Sequence, residues 1–175
     1  MRNLPGKVVW DPLVRSTHWL VASSVLANLI VLENGEFPHR WVGYGACVIV
    51  LIRTVWGFIG TQHARFSDWF PKPSILLPYL RLLIKGREPR MLGHNPAGAV
   101  MMLFMWTLIF GLGVTGFLMG TDVYFGEEWL QDLHSLLSNM LWGCAGVHVL
   151  AALVVSWKHK ENLVSSMITG RKRED

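Results

Sequence analysis

Charge is what this chain has least of. Asp, Glu, Lys and Arg make up 16% of its 175 residues, whereas 51% are hydrophobic, a balance that excludes an ordinary water-soluble domain of this size. Cysteine is nearly absent as well. Cys47 and Cys144 both fall inside apolar runs and no C-x-x-C-H occurs, which excludes a disulfide framework and covalent haem attachment and leaves both as expected small core residues. No internal repeat stands out, and nothing in the charge pattern points to a nucleic-acid partner.

What is present is a set of long apolar runs, at about 13–32, 41–60, 97–120 and 134–157. At 1.5 Å per residue each is long enough to cross a hydrocarbon core of about 30 Å. They predict a single all-α membrane domain over residues 1–175, a bundle of four transmembrane helices. No small-residue cleavage site follows the first run, so that run is expected to be a retained anchor. Residues 35–40, GEFPHR, read as a tight turn. Between spans two and three, SILLPYLRLLIKGR mixes apolar and basic residues at helical spacing, which predicts a short amphipathic interfacial helix.

Basic residues then orient the bundle. Arg2, Lys7 and Arg15 precede span one; Arg65, Lys72, Arg81, Lys85, Arg87 and Arg90 fill the middle connection; Lys158, Lys160, Arg171, Lys172 and Arg173 close the chain. Only Arg40 flanks the other side, among Glu33, Glu36, Asp122, Glu127, Glu128 and Asp132. The positive-inside rule therefore puts both termini and the middle connection in the cytoplasm.

Orientation sorts the histidines by depth. His134 and His148 are fourteen residues apart, which on a helix is about 21 Å and nearly four turns, so both imidazoles project from one face. His18 and His148 lie in the inner half, and His39 and His134 at the outer edge. Polar groups inside a membrane are expensive, and two axial imidazoles satisfy a haem iron, whereas zinc asks for four ligands. The four histidines are thus expected to form two bis-histidine haem sites, His18 with His148 and His39 with His134. Arg53 is the only charge deep in a span, on the inner side. It either neutralises a propionate of the inner haem or snorkels to the interface. Gly43, Gly45, Gly143, Gly146 and the glycines of span three suit the approach of either a porphyrin or a neighbouring helix.

RSTHW at Arg15 to Trp19, HRWVGYG…LIRTVWGFIG from His39 to Gly60, GHNPAGA from Gly93, and LHSLL…GVHVLAAL from Leu133 to Leu153 resemble the bacterial cytochrome b561 family, which is related to the haem-b subunits of membrane-bound nickel-iron hydrogenases. The resemblance implies a four-helix bundle with two b haems that passes electrons between the membrane quinone pool and another redox partner. Its ligand positions fall on His18, His39, His134 and His148, while His63, His94 and His159 match none and are read as interface residues. The reaction stays open between an electron carrier, an oxidoreductase that uses quinone to oxidise superoxide at the outer face, and a haem-poor anchor for a partner enzyme. The acidic outer rim would repel superoxide and attract a basic periplasmic redox protein or enzyme subunit, which favours the carrier. The glycine-rich third span leaves room for a homodimer.

Overall fold

The computed structural model describes residues 6–173. Arg2, counted with the inner basic flank, and the last two residues of the polar tail lie outside them. In chain order the elements are β1 (Lys7–Val8), α1 (Pro12–Leu26), α2 (Phe37–Ile59), α3 (Phe66–Trp69), α4 (Pro73–Ile84), α5 (Pro96–Leu118), α6 (Glu128–Lys158), α7 (Leu163–Thr169) and β2 (Arg171–Lys172).

Local sequence explains the helix starts. Asp11 caps α1 by accepting from Val14 N at 2.9 Å, and Asn95 caps α5 by accepting from Gly98 N at 2.7 Å. Each cap is followed by a proline, whose missing N–H costs nothing in the first turn. Pro38 does the same for α2, so the expected tight turn at residues 35–40 is already helical from Phe37 and His39 sits in the first turn of α2. The last span is longer than its apolar run, because Glu128 to Leu133 continue the helix beyond that run.

Three helices, α2, α5 and α6, are long and apolar enough to cross a membrane. The first apolar run folds differently from an unbroken span: α1 ends at Leu26 and the chain continues as a wider π-type turn over Ala27–Val31. The expected amphipathic segment forms α4, which packs on α5 while Ile75, Leu77 and Ile84 stay exposed.

Packing runs α1 on α2, α2 on α5 and α5 on α6, with no comparable packing of α6 on α1 or α2. The bundle therefore packs its helices in series, with α1 and α6 at the two ends of the series. Its core is a layer at mid-depth, Ala46 and Val50 from α2, Leu108 and Ile109 from α5, and Leu141 from α6, with half-buried Cys47 and Cys144 packed against it. The glycines of α5 serve this packing. A side chain at Gly111 would press on Leu137, one at Gly113 on Cys47 Sγ, and one at Gly116 on His134, whereas Gly45, Gly143 and Gly146 face open space.

The end that carries both chain termini, the inner end by the sequence expectation, has its own closure. β1 and β2 pair antiparallel, Lys7 opposite Lys172 and Val8 opposite Arg171. Gly170, at φ 79°, ends α7 in the left-handed region that suits glycine. Its carbonyl accepts from Val9 N at 2.9 Å and Trp10 N at 3.1 Å, tying the two ends of the chain together beneath the bundle.

Candidate haem site

Two imidazole pairs face each other from different helices. His18 on α1 and His148 on α6 have ring centroids 6.2 Å apart, and His39 on α2 and His134 on α6 have theirs 6.5 Å apart. These are the partners expected from depth alone. The mid-depth core layer separates the two pairs, since Leu141 lies midway between His134 and His148 and Ala46 and Val50 lie between His39 and Arg53.

The spacing has a simple chemical meaning. A metal ion bonded to a nitrogen of each ring at about 2 Å, with each ring centre roughly 1 Å behind its nitrogen, places two facing imidazole centres about 6 Å apart. Among the described residues, no group of three or more His, Cys, Asp and Glu side chains gathers into a metal cage. Each pair thus offers two imidazoles and nothing else, the donor set of an iron already held in a porphyrin plane. His18 Nδ1 and His39 Nδ1 are shielded from solvent and have no partner in the protein.

Thr115 was not singled out from the sequence. Its Oγ1 donates to Gly111 O at 2.9 Å and lies 2.7 Å from His134 Nδ1. A hydroxyl has one proton, so with that proton on Gly111 O the oxygen accepts from His134 Nδ1–H. The tautomer this selects leaves Nε2 with its lone pair for a metal, the usual outer support of a ligating imidazole. Only the helical spacing Gly111-x-x-x-Thr115 on a histidine-free span hinted at it.

At the inner end, Arg53 is 5% exposed. Its Nη2 donates to Ala64 O at 3.2 Å, its guanidinium lies 5.6 Å from the Trp106 ring centroid, and Nη1 has no partner. A buried, partly unpaired guanidinium is not the geometry of a side chain snorkelling into water. His63 bonds Asp68 at 3.0 Å, and His159 caps the end of α6. His94, read from sequence as an interface residue, instead sits between two tryptophans, its ring centroid 4.7 Å from that of Trp10 and 5.0 Å from that of Trp69.

Imidazoles paired between apolar helices, with no cysteine motif for covalent attachment, suit a membrane cytochrome of the b type, in which haem is held without covalent bonds. The chain belongs to the prokaryotic cytochrome b561 family, whose sequence profile matches residues 9–170. It is 24% identical to the probable Ni/Fe-hydrogenase B-type cytochrome subunit of Bradyrhizobium diazoefficiens, over 97% of this chain and 87% of that one. The proteins of the same description from Rhizobium leguminosarum and Rhodobacter capsulatus are each 23% identical, over 95% and 98% of this chain and 90% and 83% of theirs. No solved structure matches the chain significantly. The protein is thus a multi-pass membrane protein that binds haem b and takes part in electron transfer.

Proposed function

We propose that the chain is a di-haem cytochrome of the bacterial inner membrane that moves electrons between the quinone pool and an enzyme subunit or basic redox protein at its outer face. The observation that carries this reading is the pair of facing imidazoles at each of two depths, with centroids at 6.2 and 6.5 Å. His18 and His148 hold the inner haem, and His39 and His134 the outer one. Bound there, each haem supplies a one-electron couple.

The protein's own residues do the rest. Thr115 sets the tautomer and ring direction of His134. Ala46, Val50, Leu108, Ile109 and Leu141 form a dry partition between the two sites, which keeps ions out of the electron's route. Arg53 neutralises a propionate of the inner haem. α1 and the π-type turn that follows it make a fourth span, since together Pro12 to Val31 reach about 30 Å. α4 lies in the inner interface, and the basic flanks put both termini in the cytoplasm. The likeness to Ni/Fe-hydrogenase B-type cytochrome subunits supports an enzyme subunit as partner. The acidic rim of Glu33, Glu36, Asp122, Glu127, Glu128 and Asp132 supplies the complementary charge.

A reduced-minus-oxidised spectrum with a haem count on the purified protein tests the proposal. Two low-spin b haems per chain are expected, falling to one in His148→Ala and in His39→Ala, with a different haem remaining in each. One haem per chain at full occupancy, or a count indifferent to these substitutions, overturns it.

A further inference from the structure

We propose that Trp10, Arg53 and His94 form one carboxylate-binding pocket at the inner end of the bundle, and that the pocket takes a propionate of the inner haem. The inference rests on the reading of His18 and His148 as that haem's ligands and adds the two side chains that would share its acid group with Arg53. Trp10 Nε1, Arg53 Nη1 and His94 Nδ1 are all shielded from solvent and all lack a partner. They belong to one contiguous cluster: the His94 ring packs against Trp10 and Trp69, and Trp69 Nε1 donates at 3.1 Å to the same Ala64 O that accepts from Arg53. The positive charge of Arg53 acts on His94. Lys172 Nζ, 5.5 Å from the Trp10 ring centroid, adds positive potential.

Several unmet donors around a buried guanidinium are costly unless an ionised acceptor joins them. A carboxylate is the group that suits, because it accepts from several N–H donors and donates none. The chain's own nearby carboxylates are already engaged. Asp11 accepts from Val14 N, Trp56 Nε1 and Thr61 Oγ1; Glu88 from Lys158; Glu161 from Arg90 and Arg173 N; and Asp68 pairs with His63. Among the described residues no nearby carboxylate is thus left free for the pocket. His94 suits a donor role: burial first, and then the charge of Arg53, push its pKa well below the ordinary imidazole value, so that it is neutral, and in the tautomer with its proton on Nδ1 it has one N–H to give.

Membranes containing the full chain made without haem, in a His39→Ala background that leaves the inner site, are titrated with haem and with haem dimethyl ester, whose propionates are capped. The parent should bind haem about tenfold more tightly than the diester, the scale of one charge-assisted hydrogen bond or more. Trp10→Phe and His94→Phe should each lose about fivefold to tenfold in haem affinity and nothing in diester affinity. Because the diester reports the integrity of the site, a misfolded variant is recognised by loss of both. Unchanged haem affinity in both variants with diester binding intact, or a parent that binds haem no more tightly than the diester, overturns the pocket while leaving the ligand assignment intact. A parent with no inner-site haem at all overturns the assignment of His18 and His148 and the pocket with it.

Discussion

The two ends of the bundle are built on opposite plans. At the inner end the chain closes on itself: β1 pairs with β2, Arg90 meets Glu161 at 2.9 Å, Lys158 meets Glu88 at 2.6 Å, and Lys172 Nζ donates to Met91 O at 3.3 Å. Beneath this closure lie a buried arginine and sheltered donors. At the outer end the connections are open. Phe37 is 70% exposed, Val123 77% and Phe125 81%, and apart from the Thr115–His134 contact the described ties are light, such as Asn28 Nδ2 to His39 O at 3.1 Å. An end sealed by its own ion pairs can fix the charge of a cofactor. An end with bare aromatic and acidic side chains is suited to meeting another molecule.

The comparison breaks first at Arg53. Arg53→Leu should leave the outer haem untouched and either empty the inner site or lower its midpoint potential by about 60 mV, the equivalent of a tenfold bias on a one-electron couple. The sign follows from charge: a nearby cation favours the reduced, less positive haem, so its removal favours the oxidised one. A redox titration in which both potentials stay put would make the inner end no different from the outer.

Thr115 sharpens the contrast from the other side. Thr115→Val keeps the shape but removes the acceptor for His134 Nδ1–H, and outer-haem retention should fall by roughly tenfold, at the lower edge of what such supporting contacts contribute. Thr115→Ser, which restores the oxygen, should recover it. Loss of the inner haem in Thr115→Val would contradict the separation of the two sites by the mid-depth layer.

The smallest effect is expected at the rim. Reversing Glu127 and Glu128 to lysine should slow electron transfer with a basic partner by roughly threefold to tenfold at low salt and remove its salt dependence, with both haem spectra unchanged. Salt shortens the Debye length from about 10 Å at 0.1 M to 3 Å at 1 M, so stopped-flow traces over that range separate steering from contact. Unchanged rates with basic partners and faster reaction with superoxide would move the outer end to a different chemistry.

Much of this was legible in residues alone because the bilayer is a severe solvent. Apolar runs had to be helices, and a fourteen-residue interval between histidines had to put them on one face at two depths. The pairing of His18 with His148 and His39 with His134 followed from counting lysines and arginines, and the ring separations agree with it. Helix starts were less legible. Pro38 sits where a turn and a first helical turn look alike, and the structure makes it the latter.

Other features depended on neighbours that no local pattern names. Gly111 and Gly113 looked equally suited to porphyrin and to helix, and only the arrival of Leu137 and Cys47 opposite them decides for packing. Thr115 reads as one more hydroxyl on an apolar span until α6 brings His134 within 2.7 Å. His94 reads as an interface residue until the loops before α1 and α5 fold together and seat it between Trp10 and Trp69. The sequence by itself determined the helices, their order in depth and the histidines they carry, because periodicity and the cost of burying charge are properties of single segments. Which hydroxyl supports a ligand, and which buried donors are left waiting for an acid, only the tertiary structure decided, because each depends on atoms brought together from distant parts of the chain.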